Sequence, residues 1–432
     1  MGGSNAEKVA SLSATTSAGA GAGPRLIMDA ELRSRAQRVI PGGMYGHQAV
    51  ANLPPHYPQF FVEGKGARIR DANGVEYIDL MCSYGPMVLG HRNPVVEQAV
   101  RRQMRRADCL NGPTEHMVRL AELLTQNVPH ADWALFCKNG TDATTLCVTI
   151  ARAATKRRKV MVARGAYHGW AAWCNPNTNG ITEEERSNIL YYEYNDLDSV
   201  IGLLAEHGAD LAGIVASPMR HDIKKDLLPV DPEFARRLRT ICDQLGAALI
   251  LDDVRCAMRV DLRGSWEPIG VRPDLSAWSK AIANGYPIAC VLGSDRFRDA
   301  ASSVYATGSF WFAAVPMVAA LATIEEATRI DAIEMMRVAG QQLRDGLASQ
   351  ARSHGLAVTL SGTPQLPFMT FAGDGQLTKS YLWADECVKR GVYLHPFHNW
   401  FLSAAHTAED ISRALDATDD AFGVVVKQFG RD

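Results

Sequence analysis

An α/β protein built on a mostly parallel sheet with helices on both faces is the architecture this sequence predicts, and three observations carry it. From residue 134 to 293, apolar strand-like runs alternate with helix-spaced stretches, the order that builds a parallel sheet covered on both sides. The run Ala247 to Leu251, bounded by Gly246 and by the acidic pair Asp252-Asp253, reads as a buried strand, and the carboxyl ends of such strands carry ligand-binding groups. From about residue 331 a separate set of strand and helix patterns predicts a terminal domain.

Composition narrows the function classes. The 432 residues, 47% of them hydrophobic, are enough for one large domain or two with a sizeable core. A net charge of -2 argues against nucleic acid or an anionic membrane surface as partner. Nine cysteines, an odd number with no C-x-x-C pair, suggest free thiols in a reducing compartment and so a cytoplasmic protein. No apolar run approaches the roughly 18 residues of a membrane span. The first 24 residues, rich in Gly, Ala, Ser and Thr and free of arginine, match neither a secretion signal nor a transit peptide and read as a disordered tail.

Along the chain, residues 28 to 39 have helical spacing and an acidic start, and Pro41-Gly42-Gly43 stops them. Residues 59 to 80 alternate apolar and polar with turn signals at Gly64-Lys65-Gly66 and Asn73-Gly74, the pattern of a small antiparallel meander. Residues 82 to 106 run through Gly90-His91 into a helix, and helical spacing returns at 114 to 128. A strand at Ala134 to Cys137 precedes the polar loop Lys138-Asn139-Gly140-Thr141-Asp142, which opens another helix. Such a loop offers unpaired backbone N–H groups and a positive helix end, which suit a phosphate, although strand-turn-helix junctions are common. KVMVA (159 to 163) is the next strand, and Tyr167-His168-Gly169 follows it; Tyr167 is either a core tyrosine or a ring able to stack on a flat cofactor. LAGIVA (211 to 216) is a further strand, followed by Ser217-Pro218 and Met219-Arg220-His221. After Pro316 an apolar helix runs into a long linker helix. Three short strands (LAVTL, MTFAG, VYLHP) and a last helix near Thr407-Ala408-Glu409-Asp410 complete the terminal domain. There is no internal repeat.

The chemistry lies between Gly246 and Gly293. Lys280 stands among small and apolar residues, on a predicted turn between two strands. Most lysines are solvated surface charges, but one that loses its hydration has a lowered pKa and becomes an amine nucleophile. An aspartate at a strand end and a lysine downstream are what pyridoxal phosphate requires, one for the ring nitrogen and one for the aldehyde.

The DDV of 252 to 254, Arg259, and Lys280 standing 28 positions after Asp252 resemble the class III aminotransferases among the fold type I pyridoxal-phosphate enzymes, and glutamate-1-semialdehyde aminomutase most of all, over roughly residues 31 to 426. The resemblance implies a large cofactor-binding domain (81-325) and a smaller α+β domain formed by both termini (25-80 and 326-432), after the 1-24 tail. It implies pyridoxal 5'-phosphate as cofactor, Lys280 as the Schiff-base lysine and proton shuttle, and Asp252 as partner of the pyridine nitrogen. Val254 would pack on the ring face opposite Tyr167, with His168 beside it. Asn139, Gly140 and Thr141 would hold the phosphate, Asn139 and Asp142 being departures from the family's S-G-T-E-A. The family is a homodimer in which a neighbouring subunit's hydroxyl reaches the phosphate. Thr307 or Ser309 is the candidate, in a segment (305 to 316) about two residues longer than the mutase pattern. No metal is implied.

Departures from the mutase point to a different substrate. The family's substrate-binding serine and arginine correspond to Gly46 and Ala49, and His398 replaces a late glutamate. Met44, Tyr45, Tyr84, Trp400 and Phe310 would make a pocket for an amine with apolar bulk, although Phe310-Trp311-Phe312 reads equally well as interface core. PGGMYGH, DDVR, TGSFWF and HPFHN are similar to the fumonisin aminotransferase type. The expected reaction is therefore amino transfer from a primary amine or bulky amino compound to pyruvate or another small oxo acid, with Arg220 as the acceptor's cationic partner. An intramolecular aminomutase and a non-catalytic relative acting as a binding module are the alternatives. A nicotinamide dehydrogenase is disfavoured because no G-x-G-x-x-G joins a strand to a helix.

Overall fold

A computed structural model describes residues 28–220 and 225–432; the expected N-terminal tail and His221 lie outside the described residues. The described residues divide into two compact units, one comprising residues 28–53 with Pro58–Val62 and Arg70–Val75, the other the remaining described residues. In the first, the helix Asp29–Val39 begins where Asp29 Oδ1 accepts the N–H groups of Gln59 and Phe60, each at 2.8 Å. It ends ahead of Gly42 and Gly43, both at positive φ (70° and 76°), as the Pro-Gly-Gly stop predicts.

The second unit contains the seven-stranded sheet: β1 Trp133–Cys137, β2 Lys159–Ala163, β3 Ile189–Tyr192, β4 Leu211–Ala216, β5 Ala248–Asp252, β6 Leu275–Trp278 and β7 Ala289–Gly293, in the order β1-β7-β6-β5-β4-β2-β3. Neighbours from β6 to β3 are parallel, whereas β7 runs antiparallel to both β6 and β1. The expected mostly parallel sheet is therefore present. The four-residue β3, too short to display a period, is the strand the pattern misses.

Strand β5 shows why the sheet is covered twice. Its residues are all buried, with Ala248 and Ile250 packing into one core together with Leu146, Cys147 and Ile150 of the helix Gly140–Thr155. Leu249 and Leu251 pack into the other with Phe234, Leu238 and Cys242 of the helix Pro232–Leu245. A period of two with both faces apolar gives the unbroken hydrophobic run seen in the sequence. The nine cysteines are free thiols, eight of them buried.

The apolar helix and the long linker helix expected around and after Pro316 are Ala314–Arg329 and Ala332–His354, divided at Asp331, which sits at φ 53°. Beyond them Val358–Ser361 pairs antiparallel with Phe368–Phe371, and Val392–Tyr393 pairs in parallel with Glu76–Asp79. The last helix, Ala408–Phe429, starts on a reciprocal cap between Thr407 and Asp410, as its sequence predicts. Among the described residues no helix is long and apolar enough to cross a membrane.

Gly213, in the middle of β4, has no room for a side chain, because a Cβ there would lie 2.8 Å from the Ala248 carbonyl oxygen of β5. Gly213→Val should lower stability by about 1–3 kcal/mol through overpacking, measured as a lower melting temperature; an unchanged temperature would mean that β4 and β5 are spaced differently.

Candidate active site

Asp252 is the last residue of β5. By strand alternation it shares a face with Ala248 and Ile250, the side covered by the helix Gly140–Thr155. Its carboxylate is held from two directions: Oδ2 lies 2.7 Å from His168 Nδ1, and Oδ1 accepts the Val254 N–H at 3.2 Å. His168 is buried and lies parallel to Trp173, ring centroids 6.1 Å apart. The Thr144 hydroxyl donates to its carbonyl at 2.7 Å. Because a carboxylate can only accept, Nδ1 carries the proton while the imidazole is neutral. The other ring nitrogen, Nε2, is buried without a hydrogen-bond partner among the described residues.

The helix Gly140–Thr155 opens at the same place. Asn139 Oδ1 accepts the Asp142 N–H, and Asp142 Oδ2 accepts the Asn139 and Lys138 N–H groups, at 3.1–3.2 Å. The two departures from S-G-T-E-A thus build a capping box. The amides of Gly140 and Thr141 lie in the first turn, where no helical carbonyl can reach them, at the positive end of a 16-residue helix. The loop is tightly closed: a Cβ on Gly140 would stand 2.9 Å from Val254 Cγ1, and one on Gly169 (φ 126°) would strike the Thr141 hydroxyl.

Lys280 begins a 3-10 turn between β6 and β7 and sits at φ 48°, in the left-handed region, a conformation costing a non-glycine residue about 1–2 kcal/mol. The turn is clamped by Asn284, which accepts the Leu89 N–H (2.8 Å) and donates to the Gly90 carbonyl (2.9 Å). Burial pulls the Lys280 amine down to about 7 from its ordinary 10.5, and the Arg255 guanidinium adds to this while Asp252 opposes it. Lys280, Asp252 and His168 line one cleft of about 370 Å³ with Asn139, Gly140, Thr141, Tyr167 and Val254.

Residues 49–409 match the family model "Aminotransferase class-III". The chain belongs to the class-III aminotransferases. It is 48% identical over 399 residues to the aminopentol aminotransferase of Sphingopyxis macrogoltabida, covering 92% of this chain and 94% of that protein. Among solved structures, the FumI protein of Sphingopyxis sp. MTA144 in its pyridoxal-phosphate internal aldimine form superposes with a TM-score of 0.92 at 47% identity, over 93% of this chain and 97% of that one. An omega-transaminase from Sphaerobacter thermophilus gives a TM-score of 0.83 at 28% identity, over 92% and 97%. Class-III aminotransferases use pyridoxal phosphate, and the cleft suits it. A helix start with unpaired amides suits the phosphate, a carboxylate at its floor suits the ring nitrogen, and an amine of lowered pKa suits the aldehyde.

Other expected site residues of this aminotransferase lie elsewhere. Thr307, Ser309 and Phe310 are exposed and do not line this chain's cleft, but the Phe310 carbonyl accepts Lys138 Nζ at 2.9 Å beside the capping loop. Tyr45 is exposed in the first unit. Tyr84 and His398 come together edge to face, centroids 5.2 Å apart. Trp400 is a core residue rather than a pocket wall: it is fully buried, stacked on Trp383 (5.6 Å), with its indole N–H spent on the His395 carbonyl. Arg220 lies on a two-stranded ribbon outside the cleft, one guanidinium nitrogen reaching the Asp226 carbonyl at 3.4 Å. The family-marker Arg259 is wholly buried, donating to the carbonyls of Gly85 and Leu402. The cleft residues that motif reading misses are Gly169, Trp170, Ser279 and Arg255.

Two outcomes test this geometry. The apoprotein should capture added pyridoxal phosphate at a rate that follows the neutral fraction of Lys280, rising through about pH 7 rather than near 10.5, and Lys280→Ala should form no covalent link at any pH. His168→Phe removes a bond to a charged carboxylate, so kcat should fall about 10–100-fold, read in steady-state assays; wild-type rates would mean Asp252 needs no support from behind.

Proposed function

We propose that this class-III aminotransferase moves an amino group from a primary amine or bulky amino compound to a small oxo acid such as pyruvate. The observation that carries the catalytic part is the meeting, in one cleft, of Lys280 at about pKa 7 with Asp252 held by His168 at 2.7 Å. The donor class is supported by the 48% identical relative, whose name specifies aminopentol, and by the Tyr84–His398 pair where the mutase pattern has a glutamate.

Pyridoxal phosphate, when bound, supplies the aldehyde that takes up the amino group and a ring that delocalises the electrons of the broken Cα–H bond. Asp252 places its carboxylate at the cleft floor, where a carboxylate favours a protonated ring nitrogen. The first-turn amides at Gly140 and Thr141 bind the phosphate, and the Thr141 hydroxyl, which accepts the Trp170 N–H at 3.3 Å, has its proton left to donate. Tyr167 and Val254 confine the ring. Lys280 Nζ, neutral in a large fraction near pH 7, removes the proton from the donor's Cα and returns it during acceptor turnover.

The enzyme is proposed to be a cytoplasmic homodimer whose subunits share their sites, Thr307 or Ser309 of one chain reaching the phosphate of the other. The exposed aromatic side chains of Trp170 (72%), Phe310 (62%) and Tyr305 (92%) support a covered surface there. Mixing the holoenzyme with a bulky aliphatic amine and no acceptor should abolish the visible absorbance of the lysine-bound cofactor, and pyruvate should restore it. Bleaching only by small amino acids, with no need for an added acceptor over a full cycle, would return the reading to an aminomutase.

A further inference from the structure

Resting on that reading, an oxo-acid acceptor brings a carboxylate into the cleft, and the cleft must hold a cation for it. Two cations line it, Lys280 and Arg255, and Lys280 is committed to the cofactor. Arg255 follows Val254 directly and so is aimed by the same turn that carries Asp252. Its Nη1 donates to Asn399 Oδ1 and faces His398 Nε2 at 3.4 Å. His398 Nδ1 lies 2.7 Å from the Asn399 carbonyl oxygen, which can only accept, so Nδ1 bears the proton and Nε2 presents a lone pair to the guanidinium. Arg255 is therefore seated on two neutral acceptors. Among the described residues no carboxylate lies within salt-bridge distance of it, and its Nε and Nη2 make no hydrogen bond. The buried Arg259 contrasts with it, spending Nε, Nη1 and Nη2 on backbone carbonyls.

We propose that Arg255 binds the carboxylate of the oxo-acid acceptor, and that Asn399 and His398 hold its guanidinium toward the cleft. A planar fork with Nε and Nη2 still available matches the two oxygens of a carboxylate. The anion also neutralises a cation that the protein leaves without a close charge partner. A donor amine without a carboxylate leaves Arg255 on its two neutral neighbours, so one cleft serves an anionic acceptor and an apolar donor in turn. The replacement of the family's glutamate by His398 is part of the device, since a carboxylate at that position would compete with the substrate for Arg255.

The test bypasses the donor. Wild-type, Arg255→Met and Arg255→Lys apoproteins are reconstituted with pyridoxamine 5'-phosphate. Single-turnover rates are then measured with pyruvate and with propanal, which has the reacting carbonyl but no carboxylate. The ratio of pyruvate to propanal reactivity should fall about 10–100-fold in Arg255→Met and be partly recovered in Arg255→Lys. The propanal rate serves as the internal control for folding and cofactor loading. Calorimetric binding of propionate to the same loaded proteins gives a readout without turnover and should weaken in parallel. An unchanged ratio with unchanged propionate affinity would overturn the assignment of Arg255. A wild-type enzyme that reacts with propanal but not with pyruvate would instead overturn the oxo-acid reading on which the proposal stands.

Discussion

Two cations and one carboxylate line a single cleft, and most of the site follows from that imbalance. Asp252, whose oxygens already meet His168 and the Val254 amide, brings one negative charge against the two positive charges of Lys280 and Arg255. Lys280 responds by losing its proton easily, since removing one of two like charges from a poorly hydrated site relieves both desolvation and repulsion. Arg255 cannot respond that way, because a guanidinium does not deprotonate in proteins, so it is held on neutral acceptors. The same excess of positive potential, reinforced by the start of the helix Gly140–Thr155, favours ligands that bring negative charge: a phosphate at one end and, in the proposed reaction, a carboxylate at the other.

The fold supplies this arrangement with little help from flexible segments. Asp252 ends a strand buried on both faces, and the unpaired first-turn amides open a helix packed on that sheet. Lys280 sits in a turn pinned by Asn284 to the Leu89–Gly90 backbone. At the site, left-handed backbone occurs at Lys280 and in the run Cys82–Tyr84, whose three residues all have positive φ. That run is fixed because Asp79 Oδ1 accepts the Met81 and Cys82 N–H groups. Tyr84 thereby meets His398 in a backbone conformation it would not choose alone.

How much of this was legible depends on sequence distance. The strand at 248–252, the polar loop at 138–142 and the turn at Lys280 announce themselves locally, through an apolar run, a cap and a lysine among small residues. The Asp252–His168 contact joins positions 84 apart, and only the likeness to a known family placed the two in one site beforehand. Arg255 was quoted within a motif yet its role was not seen, because what distinguishes it from Arg259 is contact with residues 143 and 144 positions away. Trp400 was misread for the related reason that an aromatic beside the late motif faces either core or pocket. Local pattern does not set that choice, whereas the neighbours Trp383 and Phe368 do.

In the sheet, Asp252 pairs laterally with Ala277 in the parallel register of β5 and β6, and Lys280 follows three residues later. The spacing of carboxylate and amine is thus set by the distance between adjacent strands, about 4.7–4.9 Å, plus a short turn, and not by the length of chain between them. The connection between them is not slack: Trp266 and Val271 are buried in the core, and the Ser265 N–H donates to Asp253 Oδ2 at 2.9 Å, so it braces the strand end that carries Asp252.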